Sequence, residues 1–453
     1  MASAVEQLAK NASWGSFSKA SELKQRILFV LGALLIYRLG TYIPVPGIDP
    51  HVWNEIFDQK SGGILDMFNL FSGGALERMT IFALNIMPYI SASIIMQLAA
   101  AMVPSLEAMK KEGEMGRMKI NQYTRYLTVL LAVVQAYGMA VGLESFQGAT
   151  GSAVIDPGVF FRVSTVITIV GGTVFLMWLG EQITQRGIGN GISLIIFAGI
   201  VAELPRAFAS TLELGRQGTF NFLELALIFA GVIAVIAFIV FMERAHRRVV
   251  VQYPKRQMGN KMTAADSNHI PLKLNTAGVI PPIFASSLLL LPLTVVGFSG
   301  AEGGDFTATL ARYLQNGTPT YMILYGALVA FFCFFYTAIV FNPDENADML
   351  RKNGGFIPGI RPGKSTANYL DYIMTRITTI GAIYLVFVCL LPEFMISKYS
   401  LPFYFGGTSL LIVVSVTLDT VGQVQSHLVA HQYEGLLKKS NLSNGKSRRN
   451  RRR

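Results

Sequence analysis

Charge is scarce in this chain: only 14% of its 453 residues are Asp, Glu, Lys or Arg. Cysteine, tryptophan and histidine are scarcer still, at two, three and five residues. Each shortage excludes something. Cys333 and Cys389 both fall inside apolar stretches, which fits packing residues and leaves no disulfide framework. The histidines are scattered without metal-ligand spacing, so no metal or other cofactor is expected. Gly359-Ile-Arg-Pro-Gly363-Lys364-Ser365 imitates a phosphate-binding loop, but it is one residue too short and no strand precedes it. No nucleophile, base and orienting group come together in the pattern, so the chain is not expected to be an enzyme. No segment is large enough to form a separate soluble domain. No cleavable signal peptide is expected either, because the first apolar run, Ile27 to Tyr37, meets Arg38 with no small-residue cleavage site after it.

Hydrophobic residues make up 52% of the chain. They gather into ten runs, at 25–43, 79–103, 123–143, 160–181, 190–208, 222–242, 274–297, 319–341, 376–392 and 402–424. An apolar helix of about 20 residues crosses a bilayer core. The net charge of +11 could suggest nucleic acid. Its distribution points to topology instead. Most basic residues lie in the N-terminal segment, in alternate loops and in the tail: Lys110, Lys111, Arg117, Lys119 and Arg125; Arg186; Arg244 to Lys273; Arg351 to Arg376; and the residues from Lys438 on. Lys and Arg stay on the cytoplasmic side, so both termini are expected there. Residues 1–24 read as an amphipathic surface segment with Leu8 and Phe17 on its apolar side. Residues 431–453 form a basic tail, unstructured from Lys438, that is either simply solvated or drawn to anionic lipid or RNA phosphate.

Ten spans divide into halves of five, 25–209 and 210–430, and an odd number in each half makes related halves an inverted pair. Pro88-x-Ile90-x-Ala92-Ser93 in span 2 is matched by Pro281-x-Ile283-x-Ala285-Ser286 in span 7, the second span of each half. Proline inside a span would permit a kink. Between spans 1 and 2, residues 61–74 hold an apolar core too short to cross a membrane, flanked by Gly62-Gly63 and Gly73-Gly74. They read as a short re-entrant helix on hinge-like ends. Gly138-x-x-x-Gly142 would allow close helix contact. Two loops, 243–273 and 342–375, are too long for connectors. The first has a β-branched run, Val249 to Val251, with Arg247, Arg248, Lys255 and Arg256 around it, and reads as a basic hairpin. The second holds Arg361 in a tip stiffened by Pro358 and Pro362. Both read as docking surfaces.

Ionisable groups are nearly missing from span centres; Asp419, toward one end of span 10, is the main exception. An ion-coupled transporter with inverted repeats would share the architecture but needs a midplane ionic site. A narrowing lined with aliphatic residues can block ions by dewetting instead. An insertase without a through-pore is a further alternative, which the short re-entrant segment argues against.

Several long motifs carry a specific resemblance: Ile43-Pro-Val-Pro-Gly47, Met67-Phe-Asn-Leu-Phe-Ser-Gly-Gly-Ala-Leu76, Ile86-Met-Pro-Tyr-Ile-Ser-Ala-Ser93, Arg186-Gly-Ile-Gly-Asn-Gly-Ile-Ser193 and Pro358-Gly-Ile-Arg-Pro-Gly363. Over about residues 15–440 the chain resembles the SecY family, the channel subunits of bacterial protein translocases. The resemblance implies an all-α polytopic fold, with ten transmembrane helices in two inverted five-helix halves arranged as a clamshell. It implies a pore ring of Ile86, Ile90, Ile192, Ile196, Ile283 and Ile412, and a plug that includes Ile64, Leu65, Met67, Phe68, Leu70 and Phe71. It implies a lateral gate containing Pro88, Ser91, Pro281 and Ser286. Arg247, Arg248, Lys255, Arg256 and Arg361 would dock the ribosome and the motor ATPase SecA. SecE and SecG would be membrane partners, preprotein signal sequences the cargo, and the bacterial inner membrane the location, with apolar segments released into its lipid bilayer.

Overall fold

The computed structural model describes residues 21–59, 69, 72–145, 151–217, 221–253, 257–258, 261–262, 267–298, 318–399 and 407–450. Ten of its helices stand at the ten expected spans: α1 (Ser21–Gly40), α3 (Met87–Met102), α5 (Glu114–Ser145), α6 (Val159–Arg186), α7 (Gly191–Arg216), α8 (Phe222–Arg244), α9 (Ile280–Phe298), α10 (Pro319–Val340), α12 (Lys364–Tyr399) and α13 (Gly407–Asn450). Three shorter helices lie between them: α2 (Pro50–Gln59), α4 (Pro104–Lys111) and α11 (Pro343–Lys352). Seven of the described helices are long and apolar enough to cross a membrane alone, and α3 with α4 forms one bent pair, turned by 96°. The chain is a multi-pass membrane protein. Its two halves of five helices meet in one apolar core. On one side α9 packs against α3 and α5; on the other α13 packs against α7 and α1.

Span 2 departs from the expected continuous helix over 79–103. Regular helix begins only at Met87, because Pro88 in the first turn has no N–H to give and the backbone before a proline avoids the helical region. Residues 75–86 instead run as successive turns: Thr80 donates to the Ala75 carbonyl (3.0 Å), Ala83 to Thr80 (2.9 Å) and Asn85 to Phe82 (2.8 Å). Met79 and Asn85 take positive φ, +43° and +47°. Pro281 likewise sits in the first turn of α9. The paired prolines therefore start helices where kinks within helices were expected.

Non-helical backbone at membrane depth needs partners on every side. The Ile43-Pro-Val-Pro-Gly47 strap supplies them: the Val45 amide donates to the Met79 carbonyl (2.9 Å) and the Ile81 amide to Ile43 (3.0 Å). The strap continues to Asp49, whose amide donates to the Ala153 carbonyl (3.0 Å) and so ties in the loop before α6. Phe82 stacks between Tyr37 of α1 (6.1 Å between centroids) and Phe175 of α6 (6.0 Å).

Close glycine contacts fall elsewhere than expected. Gly138 faces open space, so it makes no tight helix crossing. Gly73, with φ of +65°, lies against Gly199 of α7, where an added Cβ would come within 2.7 Å of the Gly199 Cα. The Gly73-Gly74 pair is a packed turn, not a free hinge. The basic tail also differs from expectation: α13 continues through it to Asn450. Once a helix is nucleated in the packed span, each further residue adds a bond at little cost. Cys333 and Cys389 are buried free thiols. Gly73→Ala is expected to cost about 1–2 kcal/mol from the positive φ and the steric contact together. Thermal unfolding of the purified protein measures it, and an unchanged midpoint would show that the contact is slack.

Candidate functional site

The six expected ring isoleucines come together. Ile86, Ile90, Ile196 and Ile412 belong to the one core that joins the halves, and Ile192 and Ile283 pack on it half-buried. Four backbone segments deliver them. Ile86 is the N-cap of α3 and accepts at its carbonyl the Ile90 amide (3.1 Å), so both side chains leave one face of the first turn. Asn190 caps α7, its Oδ1 accepting the Ile192 amide (3.2 Å), which fixes where the pair Ile192 and Ile196 begins. Ile192 rests on Gly180 of α6, where a Cβ would lie 3.1 Å from its Cγ1. Ile283 is in the first turn of α9, and Ile412 is wholly buried in the second turn of α13.

The expected gate residues lie on α3 and α9, two helices that contact each other. Pro88, Ser91, Pro281 and Ser286 are all buried. Ser286 turns its hydroxyl back onto the Ile283 carbonyl (2.9 Å), satisfying it within the helix. Ala92 of α3 and Ala285 of α9 are fully buried.

Of the expected plug, Ile64, Leu65, Met67, Phe68, Leu70 and Phe71 lie outside the described residues. Its downstream base is densely held. The Tyr37 hydroxyl donates to the Ser72 carbonyl (3.2 Å), Arg38 to the Gly73 carbonyl (2.7 Å) and the Trp53 indole to the Leu76 carbonyl (2.9 Å). Glu77 accepts Asn69 Nδ2 (3.2 Å) and pairs with Arg206 of α7 (2.7 and 2.8 Å). Trp53, Glu77 and Arg206 were not singled out from the sequence. Glu77 and Arg206 are far apart along the chain, and an isolated charge near a span end reads the same whether paired or solvated.

The two long loops fold together. Strand β1 (His246–Gln252) pairs antiparallel with β4 (Ser267–Lys273), Val249 opposite Ile270 and Val251 opposite Asn268. Two short strands, β2 (Gln257–Met258) and β3 (Lys261–Met262), pair beyond them. Gln252 exchanges two backbone bonds with Phe356 of the second loop (2.9 and 3.0 Å). Val249, Val251 and Leu272 then share a separate small core with Leu350 of α11, Ile357, and Leu370 and Ile373 of α12. Gly355 is closely packed, since a Cβ there would lie 3.0 Å from the Tyr253 ring and 3.1 Å from Val251. On this platform Ile357 and Ile360 face the core and Arg361 faces solvent. The Thr366 hydroxyl donates to the Arg361 carbonyl (2.9 Å) and steadies its backbone. Arg247 and Arg248 are exposed on β1, while Lys255 and Arg256 lie outside the described residues. Beside this end, the exposed Lys111 ammonium hydrogen-bonds Glu107 and holds its carboxyl below the usual range.

The sequence pattern of the SecY family matches residues 80–421. Protein translocase subunit SecY of Escherichia coli (strain K12) is 57% identical over 422 residues, 93% of this chain and 95% of the relative. The chain belongs to the SecY family. The SecY of Vibrio cholerae serotype O1 is 56% identical over 429 residues, 94% of this chain and 96% of that one. A solved structure described as that of a protein conducting channel shares the fold at a TM-score of 0.64 and 19% identity, over 89% of this chain and 92% of that one. The SecY strap, ring and loop motifs of the sequence thus sit on a SecY-type fold.

Joining the loops makes one substitution informative. Val251→Asp would put an unpaired carboxylate into the small core, at a cost of about 2 kcal/mol or more. Tryptic cleavage at Arg351 or Lys352 is expected to speed up more than about tenfold while the spans stay resistant. An unchanged cleavage rate would mean the loops fold independently.

Proposed function

We propose that this protein is the channel subunit of a bacterial inner-membrane translocase, passing unfolded preproteins through the space between its halves and releasing apolar segments sideways into the bilayer between α3 and α5 on one side and α9 and α10 on the other. Residues 1–24, 25–209, 210–430 and 431–453 form, in this reading, the amphipathic start, the first half, the second half and the basic tail. Both termini and the hairpin platform face the cytoplasm. The observation that carries the reading is that six isoleucines from two opposed halves join one apolar core. A seal of that kind stops ions by dewetting and still yields to a chain of any sequence, because no fixed polar ligand selects what passes. Residues 61–74 form the plug over it, anchored at the base by Arg38, Trp53 and Glu77.

The chain supplies no chemistry of its own in this reading. SecA or the ribosome drives transport from the platform, SecE and SecG complete the membrane complex, and signal sequences open the gate. Arg361 is the principal contact for the motor. Its backbone is held by Thr366 and its exposed guanidinium is free to fork onto a carboxylate or phosphate, so little ordering entropy is lost on binding. Arg247 and Arg248 on the open strand suit phosphate-rich RNA.

Ile86→Gly combined with Ile283→Gly is expected to raise ion conductance of the resting complex in planar bilayers; no rise over the unaltered complex would count against the ring. In vesicles with SecA, ATP and a preprotein, Arg361→Glu is expected to abolish export while the protein still inserts and folds, and export at the unaltered rate would sink the docking role. Removing Arg247 and Arg248 is expected to lower ribosome affinity and reduce its salt slope by about 1–2, and an unchanged slope would place the RNA contact elsewhere.

A further inference from the structure

Helices α5 and α6 run antiparallel and are tied twice. At one end Arg125 grips Glu181 with two bonds, Nε to Oε1 and Nη2 to Oε2, both 2.8 Å. At the other, Arg162 grips Glu144 Oε2 through Nε (2.9 Å) and Nη2 (2.6 Å), and the Gly158 amide donates to Glu144 Oε1 (3.1 Å). The two ties are equally spaced on both helices: 19 residues separate Arg125 from Glu144, and 19 separate Arg162 from Glu181. At about 1.5 Å per residue that is roughly 28 Å, against about 30 Å for the hydrocarbon core of a bilayer.

What lies between the ties is graded in the same way. Tyr126 and Trp178 are exposed next to the first tie. Phe160 is exposed beside the second. Midway, Val134 is exposed on α5, and Gly171 on α6 has nothing within 4 Å of where its Cβ would be. Ionic, aromatic, aliphatic, aromatic and ionic bands follow in order, the sequence of environments met across one bilayer.

From this we infer that α5 and α6 form a lipid-facing stave, pinned at each edge of the hydrocarbon layer by an ion pair, which sets the depth of the whole protein in the membrane. Each carboxylate neutralises the arginine that shares its level, so no lone charge is drawn toward lipid. Two double-bonded ties at opposite ends, one on both oxygens of Glu181 and one on Glu144 Oε2, also forbid the pair from sliding or scissoring, so the stave is rigid as a unit.

The full-length protein, with whatever subunits co-purify, can be tested in phosphatidylcholine vesicles. The native thiols are replaced by Cys333→Ala and Cys389→Ala, and nitroxides are placed singly through Tyr126→Cys, Val134→Cys, Phe160→Cys or Gly171→Cys. The ratio of collisions with oxygen to collisions with a water-soluble nickel chelate should be greatest at Val134 and Gly171 and fall severalfold at Tyr126 and Phe160. A maximum displaced by more than one helical turn from either midpoint overturns the depth assignment. Uniformly low collision with both reagents means another polypeptide covers this face, and overturns it too. The rigidity is read from the distance distribution between nitroxides at Tyr126→Cys and Trp178→Cys. Glu181→Gln should broaden it about twofold, and Arg125→Glu with Glu181→Arg should restore the narrow distribution. If Glu181→Gln leaves the width unchanged, the tie does not pin the stave.

Discussion

A backbone amide in hydrocarbon has no water to turn to, and residues 75–86 meet that constraint without a helix. A helix would satisfy the segment internally. Pro88 prevents it from extending back through Ile86, so the segment must find partners in its surroundings. The strap from Ile43, the stack of Tyr37, Phe82 and Phe175, and the tight seat of Gly172 of α6 against the Ile81 carbonyl follow from that need. So does the shortness of α3, whose 16 residues reach only about 24 Å. One half of span 2 is helix; the other half is held in place by its neighbours, and the ring begins where the two meet, at Ile86.

The platform formed by the two long loops shows the opposite solution. Outside the spans, backbone groups can be satisfied by water, so loops 243–273 and 342–375 could each stand alone. They fold as one unit because alternate residues of β1, Val249 and Val251, present an apolar face that a two-stranded sheet cannot bury by itself. The second loop covers that face with Leu350 and Ile357. An arginine read from the sequence as belonging to one loop thus depends on the strand of the other for its position.

Much of this was legible beforehand. Span positions followed from runs of apolar residues, and the hairpin from a short β-branched run with basic flanks. The ring set came through resemblance, and spacing alone could only have paired Ile86 with Ile90 and Ile192 with Ile196. The first half of span 2 was not legible, because an apolar stretch has the same composition whether helical or turning. Gly138 looked like a contact and faces open space, while Gly73 and Gly199, far apart in sequence, touch. A glycine records permission for close approach but not the partner. The fusion of the two loops was hidden for the same reason: the Gln252–Phe356 bridge is made by backbone atoms, which carry no sequence signal.

The core that joins the halves has a consequence for how such a protein can change. In most proteins the hydrophobic core and the working site are separate, and each can be improved without the other. In the channel reading proposed above, Ile86, Ile90, Ile196 and Ile412 belong to both. Opening the channel is a local unfolding of its own core, so heat tolerance and readiness to open draw on the same contacts and oppose each other. A relative adapted to higher temperature would have to gain its stability elsewhere, in the strap, the packed glycine turns or the joined loops, and leave this layer of isoleucines as loosely bound as its working temperature requires.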